Sequence, residues 1–228
     1  MFAFGQNSKR FSAQPQFCMK DKKVALAVFV LVVFHIVGFY GLAFSANPAW
    51  FRELSALNLL LTNFLLFSFH KTWNIAFAVF AVIVLLVGFF SEVIGVHTGL
   101  LFGDYDYGQG LGYKLWEIPL IIALNWLLLV YSTGILVQKL SWHWLLKAFA
   151  AAALMVLLDM LIEPVTAVLD YWTWADYRIP VSNYLGWLGV AFVLHLLFQK
   201  SRFQKQNALA PFVLGVQFLF FIGLNLVL

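Results

Sequence analysis

The sequence has too little polar surface for a water-soluble fold. Only 11% of its 228 residues are charged, 63% are hydrophobic, and the mean hydropathy is +0.90. A globule of this size could not be covered in water, so lipid is the expected solvent. Cysteine is almost absent. Cys18 stands alone in a polar N-terminal arm, which excludes an internal disulfide and an all-cysteine metal site. No two of the five histidines are four residues apart, so no helix face offers a two-histidine ligand pair, and no metal is expected. None of the apolar runs carries a lysine in its middle, which disfavours a retinal Schiff base. The net charge of +4 comes without a readable nucleic-acid motif, and no nucleic-acid partner is expected.

What is abundant is apolar sequence in helix-length runs. A hydrocarbon layer about 30 Å thick needs about 20 such residues. Seven runs qualify as candidates: Val24–Phe44, Leu54–Phe69, Asn74–Gly95, Ile118–Val137, Trp144–Ile162, Val181–Phe198 and Leu209–Leu228. The second is short and carries Ser55, Asn58, Thr62 and Asn63, so it is either packed inside the bundle or not a full span. The first follows a basic stretch and reads as an uncleaved signal-anchor, its apolar run being longer than that of a signal peptide. The expected fold is therefore all-α: a polytopic bundle of seven transmembrane helices over residues 24–228, preceded by a basic arm at 1–23.

Charge orients the bundle. With seven spans, Lys9, Arg10, Lys20, Lys22, Lys23, Lys71, Lys139, Lys147, Lys200, Arg202 and Lys205 fall on the N-terminal side with one acid, Asp21. Arg52, Lys114 and Arg178 fall on the other side with all nine remaining acids. Cytoplasmic loops are enriched in lysine and arginine, so the N-terminus is expected inside and the C-terminus outside, in a bacterial or archaeal cytoplasmic membrane. Removing one span would scramble this separation.

Two outward loops, near 96–117 and 164–180, are rich in Gly, Asp, Tyr and Trp and are candidate functional loops. An acid-ended helix, an aromatic outer loop and an Ile-Pro helix start occur twice. Ile118-Pro119 precedes Trp126 and Ile179-Pro180 precedes Trp187, each Trp seven residues after its Pro. Glu92, Asp159 and Glu163 lie at outward helix C-termini, where the helix dipole and the loss of solvent favour the neutral acid and suit a proton donor. Asp159 and Glu163 share a helix face at a spacing of four. Glu117, ahead of Ile118-Pro119, is expected at a helix N-terminus and ionised. Several ionisable groups at one membrane depth point to function, whether catalytic or proton-coupling.

The strings SEVIGVHTGLLFGDYDYGQGLGYKLWEIPLIIALNW, LDMLIEPVTAVLDYWTW and RIPVSNYLGW, spanning about residues 91–190, resemble the membrane carotenoid hydratases, the group that contains carotenoid 1',2'-hydratases and bisanhydrobacterioruberin hydratase. The resemblance implies a hydro-lyase that adds water to the terminal C1,2 double bond of an acyclic or monocyclic carotenoid, giving a tertiary alcohol with no cofactor. For that chemistry Asp159 or Glu92 is the expected proton donor, with Glu163 as partner. Electron-rich rings for a tertiary cation are available at Tyr105, Tyr107, Trp126, Trp172 and Trp174, and Asn183 and Trp187 would shape the pocket. A carotenoid end-group cyclase, a proton-coupled transporter and a carotenoid-binding scaffold are the competing readings.

Overall fold

The computed structural model describes residues 21–228, so most of the basic arm, with Cys18, lies outside the described residues. Eight α-helices follow in order: α1 Lys22–Phe44, α2 Pro48–Glu53, α3 Ser55–Ser68, α4 Ile75–Thr98, α5 Leu120–Val137, α6 Trp144–Ile162, α7 Val181–Lys200 and α8 Ala210–Val227. Six of them, all but α2 and α3, are long and apolar enough to cross a membrane. The chain is an integral membrane protein built as an all-α bundle.

Helix ends are set by local chemistry. Asp21 and Asn74 cap α1 and α4, their side-chain oxygens accepting from the backbone N–H of Lys23 and Phe77 at 2.9 Å each. Gly99 closes α4 in the left-handed region at φ 66°, a conformation that favours glycine. Pro119 and Pro180 hold extended backbone at the N-caps of α5 and α7, one place earlier than a first helical proline.

The helix α5 forms the centre, packing against α3, α4, α6, α7 and α8 and burying Trp126, Leu128, Leu129 and Tyr131 completely or nearly so. In lipid, close packing takes over from the hydrophobic effect, and small residues let helices approach. Ala148, Ala151 and Ala152 of α6 and Ala191 of α7 are fully buried, in keeping with the extensive contact between those two helices.

The apolar run at Leu54–Phe69 departs most from a full span. Its helix α3 has 14 residues, about 21 Å at about 1.5 Å per residue, short of the roughly 30 Å hydrocarbon layer. Side-chain bonds tie both of its ends. At one, Tyr171 donates to Ser55 Oγ at 2.8 Å. At the other, Asn207 Nδ2 donates to the Leu66 carbonyl at 2.8 Å, and His70 joins Tyr131 through Nδ1 at 2.7 Å and Thr72 O through Nε2 at 2.8 Å. Burial lowers the His70 pKa from its ordinary value, so the neutral ring donates from Nε2 and accepts the Tyr131 hydroxyl at Nδ1.

With α3 running back between α1 and α4, the helices α1 and α3 to α8 alternate in direction, so the ends form two faces. Lys71, Lys139, Lys147, Lys200, Arg202 and Lys205 belong to the face that holds His70 and Asn207. The opposite, acidic face carries four short strands that an all-helical reading does not anticipate: β1 Tyr105–Tyr107, β2 Lys114–Leu115, β3 Ile118–Pro119 and β4 Trp172–Trp174. Strands β2 and β3 form a small antiparallel hairpin, while β1 and β4 pair antiparallel and join the two long loops of this face, Tyr105 opposite Trp174 and Tyr107 opposite Trp172. Glu117 is thereby displaced from its expected place. It sits at φ 68° in the β2–β3 turn, three residues ahead of α5, exposed and 3.7 Å from His97 Nε2. Backbone pairing of Ile118 and Pro119 delays the helix start.

Candidate active site

The acids at the ends of α4 and α6 turn inward beneath the paired strands. Glu92, Asp159 and Glu163 are only 2%, 1% and 4% exposed, which removes all three from bulk water. Each is held differently. Glu92 accepts three bonds, from Tyr105 at 2.5 Å and Tyr107 at 2.9 Å on Oε2 and from Trp126 Nε1 at 2.9 Å on Oε1. Glu163 also accepts three, from Trp174 Nε1 at 2.7 Å and Trp172 Nε1 at 3.2 Å on Oε2 and from Asn183 Nδ2 at 2.9 Å on Oε1. Asp159 accepts one, from the same Asn183 Nδ2 at 2.9 Å, and its second oxygen is buried with no hydrogen-bond partner.

The donors are supplied by alternation along two short strands. Residues two apart in a strand face the same way, so Tyr105 and Tyr107 both reach Glu92, and Trp172 and Trp174 both reach Glu163. Burial, followed by the charge of the neighbouring Glu92, pushes both tyrosine phenols well above their ordinary range, so they remain O–H donors. The strand pair closes tightly because Gly108 lacks a side chain: a Cβ there would stand 2.2 Å from Asp170 Oδ1 and 2.3 Å from the Asp170 carbonyl. Below, Trp126 and Trp187 stack at 4.3 Å between ring centroids and 15° between planes. Gly88 makes room for Trp126, since a Cβ on it would lie 2.6 Å from the Trp126 Cβ.

A cavity of about 20 Å³ opens between these groups, enough for a water molecule, which needs roughly 10–15 Å³. The sequence-predicted residues Glu92, Tyr105, Tyr107, Asp159, Glu163, Trp172, Trp174, Asn183 and Trp187 line it. Trp126 does not line it but is fully buried behind Glu92. Phe102, Ile122, Asn125 and Ile162 are also in the wall and were not anticipated. Ile122 and Asn125 lie in the helical turn preceding Trp126, where helical spacing had the means to place them; Phe102 sits in an irregular loop with no periodic signal. Ile122, Asn125, Ile162 and Trp172 are shared with a second, apolar cavity of about 290 Å³. Among the described residues, no group of three or more His, Cys, Asp or Glu side chains is arranged to hold a metal ion.

A family profile described as carotenoid biosynthesis protein matches residues 53–228. The chain belongs to the carotenoid biosynthesis protein family. A curated relative from Haloarcula japonica named bisanhydrobacterioruberin hydratase is 29% identical over 115 residues, covering 47% of this chain and 39% of that protein. The match therefore spans well under half of the relative's own length. No solved structure matches the chain. The family match supports a role in carotenoid biosynthesis.

Proposed function

We propose that this family member adds water to the terminal carbon–carbon double bond of an acyclic carotenoid end, giving a tertiary alcohol. The observation that carries the reading is the junction of a water-sized pocket, walled by three carboxyl groups, with a larger apolar cavity. Hydration needs such a site: an alkene end must leave lipid, meet a proton and then meet one water molecule.

In this reading Asp159 is the acid. Three N–H or O–H donors on Glu92 and three on Glu163 suit carboxylate anions, whereas Asp159 has one donor and a free buried oxygen on which to carry a proton. The π electrons of the terminal double bond take the Asp159 proton at the less substituted carbon, forming a C–H bond and leaving a tertiary cation at the other carbon. Glu92 and the electron-rich rings of the pocket stabilise that charge. The pocket water then forms the C–O bond and loses a proton to Glu163. Return of that proton to Asp159, which shares the Asn183 amide with Glu163, restores the starting state. Atoms and charge balance with water alone, and the reaction is redox-neutral, so it calls on no cofactor. Lysine and arginine at the opposite face support reading the acidic face as the outer one.

The test is expression in cells that accumulate an acyclic carotenoid, followed by mass analysis of the pigments. A product heavier by one water is expected. An isomer of unchanged mass would instead assign end-group cyclisation, and unaltered pigment in hosts making acyclic and monocyclic carotenoids would overturn both.

A further inference from the structure

The apolar cavity beside the acids has a distinctive setting. Its walls come from α1, α3, α5, α6 and α8 together with Tyr171 and Trp172 of the outer loop. Four of its lining residues, Phe34 and Val37 of α1 with Leu57 of α3 and the adjacent Leu54, are exposed on the outside of the bundle, so the cavity has a mouth toward lipid between α1 and α3. Its other end reaches Ile122, Asn125, Ile162 and Trp172, which it shares with the acid pocket. Of the polar lining residues, His35, Asn58, Asn125 and Gln217 stand on four different helices, and Ser55 accepts the Tyr171 hydroxyl. None of the former four side chains bonds a side chain of another helix among the described residues, and the Gln217 and Asn58 amide oxygens are buried without a partner.

We infer that this cavity is a lateral entry channel in which one end of an acyclic isoprenoid chain, arriving from the bilayer between α1 and α3, lies against α1, α5 and α8 with its terminal double bond delivered past Asn125 to the acids. The inference rests on the hydratase reading for the identity of the chain. On α5 the lining runs from Ile122 to Leu129, about 10 Å at about 1.5 Å per residue. A carotenoid is about as long as the hydrocarbon layer is thick, roughly 30 Å, so only the end portion fits and the remainder stays in lipid. A chain held this way needs no extraction into water. Gly38 is a position from which to block the channel: it lines the cavity, and the nearest atom to a Cβ there is Phe220 Cε2 at 3.8 Å, ordinary contact distance.

The test uses the full chain in lipid nanodiscs with lycopene as probe, reading the circular dichroism induced in the polyene band on binding. Gly38→Phe fills the channel from within, and Leu57→Trp obstructs its mouth from a lipid-exposed position where a larger side chain leaves the packed core untouched. Gly215→Phe is the control, the same change on an exposed glycine of α8 with no neighbouring atom within 4 Å of a Cβ. Binding at least tenfold weaker in both channel variants and unchanged in the control is the expected result. Wild-type binding in both Gly38→Phe and Leu57→Trp would overturn the channel, as would equal loss in Gly215→Phe or no binding by the wild-type chain. Induced dichroism in the wild-type chain without formation of a hydrated product would instead sink the hydratase reading and leave the channel standing.

Discussion

The two halves of the site are built alike and hold their acids differently. In α4–β1–α5 an acid near a helix end, Glu92, is met by alternate residues of a short strand and by a tryptophan seven residues beyond an Ile-Pro start. In α6–β4–α7 the corresponding parts are Glu163, Trp172, Trp174 and Trp187. The halves join through β1–β4 pairing and the Trp126–Trp187 stack. They differ in that the second half adds Asp159 one helical turn earlier and puts Asn183 between the two acids, while its Trp187 stacks on Trp126 without reaching a carboxylate. The first half thus holds a single acid with both of its oxygens hydrogen-bonded. The second is a pair with one oxygen left over. In the proposed mechanism that inequality turns two similar acid sites into an acid and a charge stabiliser.

Four substitutions probe the inequality, and product formed per unit of membrane-inserted protein is the readout unless stated. Asp159→Asn removes the proton donor and keeps the shape, so conversion should fall about a thousandfold, within the roughly 10²–10⁴ range of general acid catalysis. Glu92→Gln removes the opposing charge, and a loss of about a hundredfold is expected, as for other preorganised electrostatic groups; an equal or larger loss than Asp159→Asn would reverse the assigned roles. Trp174→Phe takes one donor from Glu163, and thermal unfolding in detergent should show about 1–3 kcal/mol of lost stability, the usual cost of leaving a buried polar group short of a partner. Tyr107→Phe should be mildest, about threefold in conversion, because Glu92 keeps Tyr105 and Trp126.

Much of this was legible from residue order alone, for reasons that differ along the chain. Helix-length apolar runs and the segregation of lysine from acid report the bundle directly, because lipid leaves the backbone few alternatives. The acids stood out as ionisable groups in apolar sequence. Leu54–Phe69 was ambiguous since its polar residues fit either a buried span or a break, and the chain makes a 14-residue α3 there. The β1–β4 pairing was missed although Tyr-Asp-Tyr and Trp-Thr-Trp alternate with the period of a strand. Strands of three residues carry too little pattern, and 64 residues separate Asp106 from Asp170, whose carboxylate and backbone complete the loop junction. The shared Asn183 bridge is a tertiary fact: only packing of α6 against α7 brings it between Asp159 and Glu163.

The central claim is that the leftover oxygen of Asp159 carries the working proton. Infrared spectroscopy of the full chain in an ester-free detergent reads this directly through the C=O stretch of a protonated carboxyl group. The band should vanish in Asp159→Asn and survive in Glu92→Gln and Glu163→Gln. Its survival in Asp159→Asn, with loss in Glu92→Gln, would place the proton in the other half of the site and contradict the account.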